Sequence, residues 1–255
     1  EKQIHRSISQ TISEKNAGIV IRSGEGQEYS NINPADPSIA VGPAHVIQMI
    51  NGGNGSAQFT IYDKKGKILI PSTYMDQLPG SSYNGGGDQL TDRFVMTEFG
   101  DSSRTGIQMN SLIMAVSASN DPTGSWYVYE FYTGFFPDYP KFGNWHDAWY
   151  GVTRDFTDKY EGNSIWGFDK EAMIKGNAIA RAQRIRMNDA DNRYNSLVPV
   201  TLGGTTTAPL GSPGLFLYYN DDELTVSPTD KDSLTVLGFS INLGNAAASI
   251  LSKEG

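Results

Sequence analysis

The chain contains no cysteine. No disulfide framework can staple it and no thiolate can hold a metal or serve as nucleophile. The small disulfide-stabilised secreted domains are thereby excluded, although lack of cysteine is neutral between cytosol and exterior. Basic residues are also in short supply: 20 Lys and Arg stand against 28 Asp and Glu, a net charge of −8. A phosphate backbone would meet no basic face, so nucleic acid is not an expected partner. The one local basic cluster, Arg181, Arg184 and Arg186, reads as a solvated strand face. No apolar run approaches the roughly 18–20 residues that span a bilayer, so no transmembrane segment is expected. Nucleophile-elbow, zinc-protease, phosphate-loop and dinucleotide motifs are all missing. Gly85-Gly86-Gly87 lacks the lysine and the helix start that phosphate binding needs, and reads as a loop. Glu1-Lys2-Gln3-Ile4-His5 is followed by no apolar signal stretch, so a mature chain or a fragment is expected.

What the chain has is turn formers and flat side chains: 28 Gly, 12 Pro and 13 Tyr in 255 residues. Residues 1–33 are polar and weakly patterned, a lead-in segment with Ala17–Ile21 as a short strand. From residue 34 to 255 the texture is of short strands at hairpin spacing, in about four to five units. The first unit runs through Ser38–Pro43, His45–Asn51, Gln58–Asp63 and Lys67–Ile70. The second holds Asp92–Phe99, Ser111–Ser117 and Trp126–Phe131; the third Trp149–Thr153 and Ser164–Asp169; the fourth Gly214–Tyr219 and Leu234–Ile241, before the chain fades into Ala246–Ala248. Asp36, Asp88 and Asp138 open successive units, and Phe59–Lys64 matches Ile165–Lys170 as one outer strand and turn, two units apart. Four short strands per period of about 40–50 residues mark an all-β β-propeller of four-stranded antiparallel blades. A β-sandwich of the same strands is the alternative. Helix is expected once, over Asp169–Gly176, capped by the aspartate and stopped by the glycine.

The run from Asp36 through Asn51 resembles the opening blade of a large group of secreted bacterial propeller proteins. Asp92-Arg93-Phe94-Val95, Ala115-Val116-Ser117 with Asp121–Trp126, and Asp138–Gly143 resemble the following blade starts and turns. The resemblance covers about residues 34–243. It implies an exported protein, secreted or on a cell surface, and members of the group are often joined to adhesion modules or to a C-terminal secretion signal. The chain departs from the group at Trp145–Tyr150, where proline and glycine are commoner than His146 and Ala148. Ring closure usually takes more than about four units, so further residues or a further chain are expected to complete the propeller.

The densest polar-aromatic cluster is Asp138-Tyr139-Pro140-Lys141 with Trp145–Tyr150. One reading makes it a sugar-binding or catalytic floor. Tyr139, Trp145 and Trp149 would stack on sugar rings beside Asp138 and Asp147. His146 would serve as general base, Tyr150 as general acid and Lys141 as the basic partner of a polysaccharide lyase or glycoside hydrolase. The other reading makes the aromatics inter-blade core and His146 a turn residue. Asp36, Asp88, Asp92 and Asp121 read as turn caps rather than metal ligands. Asp189 and Asp191 alternate as an oxygen-ligand loop does, and calcium is the ion such a loop would take, but Arg193 and Tyr194 stand where further ligands belong. No other cofactor is expected. Two functions therefore stand at the sequence level: a binding, scaffold or adhesion module for a polysaccharide or another surface protein, and a polysaccharide-active enzyme.

Overall fold

The computed structural model describes residues 24–53, 56–78, 92–100, 110–187, 197–202, 206–220 and 232–254, with the backbone of 86–88. These residues form four antiparallel sheets of four strands, each a meander of consecutive strands. Sheet 1 comprises β1 (Ser38–Val41), β2 (His45–Ile50), β3 (Gln58–Asp63) and β4 (Ile68–Tyr74). Sheet 2 comprises β5 (Gly86–Asp88), β6 (Arg93–Phe99), β7 (Ser111–Ser117) and β8 (Trp126–Tyr132). Sheet 3 comprises β9 (Phe136–Asn144), β10 (Trp149–Phe156), β11 (Tyr160–Phe168) and β12 (Ala182–Met187). Sheet 4 comprises β13 (Val198–Pro199), β14 (Gly214–Asn220), β15 (Ser233–Ser240) and β16 (Ile250–Glu254).

Three cores lie between consecutive sheets. Ile47, Phe59 and Ile61 of sheet 1 meet Phe94, Met96 and Trp126 of sheet 2. The opposite face of sheet 2, with Leu112, Met114 and Val116, meets Trp149, Trp166 and Phe168 of sheet 3. The other face of sheet 3, with Tyr150, Val152 and Ile165, meets Phe216, Leu237 and Phe239 of sheet 4. Sheets 2 and 3 are therefore covered on both faces, which a two-sheet sandwich does not provide. This double burial explains why Ser111–Ser117 reads as a continuous apolar run without alternation: every one of its residues is buried.

Local chemistry shapes the connections. Asp63 Oδ1 accepts from the backbone N–H of Lys65 (2.7 Å) and Lys67 (2.9 Å), closing the β3–β4 turn around Gly66 at φ 84°. The one α-helix among the described residues, α1 (Lys170–Ile174), is capped where expected: Asp169 accepts from Ala172 N at 3.0 Å, and Gly176 stops it at φ 67°. Gln27 N donates to Gln48 Oε1 at 2.9 Å, so the segment before β1 packs on sheet 1. Ala17–Ile21 lies outside the described residues.

Several expectations need correction. Gly86–Asp88 is a strand paired with β6, not a loop. The stretch 136–144 is itself a strand, and β16 follows Ala246–Ala248, where the chain was expected to fade. Asp36 precedes β1, Asp88 ends β5 and Asp138 sits inside β9, so the three aspartates do not occupy equivalent places. The repeat resides in the meander: Phe59–Asp63 and Ile165–Phe168 both fall in the third strand of their sheets, two sheets apart, which is an inner strand and not the outer one expected.

Candidate functional site

The β9–β10 hairpin carries every member of the 138–150 cluster and distributes them between its two ends. At the turn, Trp145 N donates to Ala148 O at 3.1 Å. The Trp145 ring is buried between sheets 3 and 4, and its Nε1 donates to Ser212 O at 3.2 Å. Trp149 is buried on the opposite face, between sheets 2 and 3. Tyr150 is only 1 % exposed and meets Phe216 and Phe239 edge-on, with centroids 6.0 and 5.8 Å away. Its hydroxyl donates to Asp147 Oδ2 at 3.0 Å. Burial first, and the Asp147 charge second, push this phenol far above its ordinary range. His146 Nε2 accepts from Gly211 N at 3.2 Å, which places the ring proton on Nδ1, 3.9 Å from Asp147 Oδ1. Buried Lys170 donates to Asn144 Oδ1 at 3.0 Å and to Trp145 O, fixing the turn from below.

The other end is built differently. Lys141 pairs with Val152 and Asp138 with Arg154, so Tyr139 and Pro140 together oppose Thr153. This β-bulge leaves Tyr139 at φ 48°, a left-handed conformation uncommon for a bulky residue. The residue is 57 % exposed. Lys141 Nζ lies 5.6 Å from the ring centroid and the Arg154 guanidinium 5.4 Å. Phe156 and Tyr160 complete a frame around Arg154, at 5.4 and 5.2 Å. Asp138 Oδ1 accepts from Tyr139 N at 2.8 Å and does not pair with the guanidinium. Along β10, Arg154 stands four residues from Tyr150, about 13 Å at strand rise. The structure thus joins Asp138, Tyr139 and Lys141 to Arg154, and separates them from His146, Asp147 and Tyr150.

No family model and no curated protein matches the chain. Function has to be read from the two ends of the hairpin and from what lies behind them.

Behind the hairpin is a polar cluster that sequence reasoning missed. Asp155 has no exposed surface; Ser164 Oγ donates to it at 2.6 Å and Thr153 Oγ1 at 3.0 Å. Trp166 Nε1 donates to Thr153 Oγ1 at 3.0 Å. Arg186 Nε approaches Asp155 to 3.7 Å, and its guanidinium lies 4.1 Å from the Phe135 ring centroid. Arg184 covers Trp166 at 5.2 Å and donates to Thr133 O. Desolvation dominates and raises the Asp155 carboxyl, against the pull of its two hydroxyl donors and the arginines. The three arginines are therefore not one solvated strand face: Arg181, which donates to Leu243 O, and Arg186 are exposed, whereas Arg184 is half-buried over Trp166. The signal available in sequence was the alternation Thr153-Arg154-Asp155, which puts polar groups on both faces of a strand that is otherwise apolar.

Of the remaining aspartates, Asp121 Oδ1 accepts from Thr123 N (2.9 Å) and Oγ1 (2.7 Å), and Asp92 accepts from Asn120. The first closes a local turn; the second ties the start of β6 to the β7–β8 connection 28 residues away and caps no turn of its own. Among the described residues no group of three His, Asp or Glu side chains converges to hold a metal ion. Asp189 and Asp191 lie outside the described residues, and of Asp88 only the backbone is described. Among the described residues no helix is long and apolar enough to cross a membrane.

Proposed function

We propose that the chain is a run of β-propeller blades acting outside the cell as a non-catalytic binding or scaffold module. The propeller reading is supported by four successive meanders with a core between each neighbouring pair, the arrangement radially stacked blades require. Export rests on the sequence resemblance. The aromatic and acidic surface suits a polysaccharide or another surface protein as ligand.

The observation that carries the non-catalytic reading is the placement of Tyr150. An eliminating or hydrolytic enzyme needs its proton donor and its base within reach of one substrate atom. Tyr150 is inside an inter-sheet core, its proton engaged by Asp147, and Lys141 and Arg154 are at the far end of the hairpin. His146 spends its free lone pair on the Gly211 amide.

The test pairs binding with turnover. Purified protein is incubated with a panel of polysaccharides, retention is measured by pull-down, and chain length is followed in the same samples. Retention without shortening is expected, both for the native chain and for His146→Ala. Shortening that His146→Ala abolishes while retention persists would establish the enzyme instead.

A further inference from the structure

The bulge end of the hairpin holds two cations, Lys141 and Arg154. Neither Lys141 nor Arg154 forms an ion pair with a carboxylate of the described residues. The Arg154 Nε is buried and has no hydrogen-bond acceptor. A buried N–H without an acceptor is costly and calls for a reason, because the great majority of such groups are satisfied. The Nη hydrogens likewise find no acceptor among the described residues, yet three rings hold the guanidinium in place. The backbone beside it is held in a strained bulge whose effect is to set an exposed tyrosine ring against both cations. A guanidinium that is fixed, charged and unpaired presents a planar fork to a carboxylate.

From this we infer that Tyr139, Lys141 and Arg154 form a site for a sugar unit bearing one carboxylate, a uronate. The inference rests on the binding-module reading above and specifies its ligand class. The carboxylate takes the Arg154 Nη hydrogens, with Lys141 Nζ as second cation. The exposed part of the Tyr139 ring covers an apolar face of the sugar. That aromatic face favours a sugar over an acidic peptide, which would use only the cations. The net charge of −8 favours an isolated acidic unit over a long polyanion, which the rest of the molecule repels.

Calorimetric titration with a disaccharide containing one glucuronate tests this, with its methyl ester, a neutral disaccharide, inorganic phosphate and triglutamate as comparison ligands. The free acid is expected to bind and the four others to bind markedly less. Arg154→Gln is expected to weaken binding about tenfold or more, Lys141→Gln roughly threefold and Tyr139→Ala roughly fivefold, while Tyr139→Phe keeps it. Equal binding of the ester would show that the carboxylate is not read, and equal binding of triglutamate or phosphate that no sugar is; either overturns the site. Should Arg154→Gln fail to fold, the exposed Lys141 and Tyr139 decide, and unchanged affinity in both overturns the site. Cleavage of the disaccharide is followed in the same samples. Binding with cleavage defeats the non-catalytic reading and leaves the site standing; absence of binding without cleavage defeats the site alone.

Discussion

Asp155 has two hydroxyl donors and an arginine beside it, yet the cost of removing its charge from water outweighs them, so its carboxyl is raised above the ordinary carboxylate value. The sign of the consequence follows. A group with a raised folded-state value binds its proton more tightly in the folded than in the unfolded chain. The stability this contributes is fully present below the ordinary value of about 3.9 and is lost as pH rises through the raised one. Asp155→Asn carries no titrating group at this position. Its stability relative to the native chain is therefore expected to improve steadily as pH is raised from about 4, measured by urea unfolding at a series of pH values. A difference that stays flat with pH would show that the arginines fully compensate the buried charge. The sequence displayed Arg184 and Arg186 but not their surroundings, because whether an exposed-looking strand face is covered depends on Phe135, in the β8–β9 connection, and Trp166, in β11. Asp169, by contrast, was legible because a helix cap involves only residues three positions apart.

Among elements, what could be read depended on position within the sheet. Every inner strand (β2 and β3, β6 and β7, β10 and β11, β14 and β15) shows in the sequence as an apolar or alternating run. The missed strands β5, β9, β13 and β16 are all at sheet edges. An edge strand pairs on one side only and tolerates residues that a central strand rejects: β9 contains Pro137, Pro140 and Gly143, and β5 is Gly-Gly-Asp. The candidate site suffered the same way. Its residue types were visible at 138–141, but the bulge that turns Tyr139 toward Arg154 exists only once β9 is paired. Packing between elements makes its own prediction at Gly214, where β14 crosses sheet 3. A Cβ there would run into the Tyr150 ring, itself held by Phe216, Phe239 and Asp147. Gly214→Ala is expected to lower stability by about 1–3 kcal/mol, as overpacking does, seen as a lower denaturant midpoint. Tyr150→Phe should not relieve it, since the clash is with ring carbons. A neutral Gly214→Ala would mean that sheets 3 and 4 slide freely over one another.

At the scale of the whole molecule the two terminal sheets differ from the two between them. Among the described residues sheets 2 and 3 have a neighbouring sheet on both faces, whereas sheets 1 and 4 have one on a single face; the outer face of sheet 1 is covered in part, Thr60 and Tyr62 being buried on the face where the segment before β1 meets Gln48. On sheet 1, Ile39 and Val41 point away from the core that takes Ala40, and Ile39 is 67 % exposed. On sheet 4, Tyr219 pairs with Leu234 on the face opposite Phe216 and Phe239, and Leu234 is 63 % exposed. Leaving such a side chain in water forgoes about 1.5–3 kcal/mol relative to burying it, and several on one flat sheet face make a surface that seeks a partner. If the sheets are propeller blades, as proposed above, they meet face to face, and the cover expected for each terminal face is another four-stranded sheet. A solution of this chain alone is then expected to associate through these faces, with a mass by light scattering that rises with concentration. Ile39→Glu and Leu234→Glu should each reduce the association, because a charge on either face cannot be desolvated against an apolar neighbour. Lys65→Glu, in the exposed β3–β4 turn, should not. If the unmodified chain stays a monomer at every concentration, the terminal faces need no cover, and the four sheets are a finished stack rather than an arc of a ring.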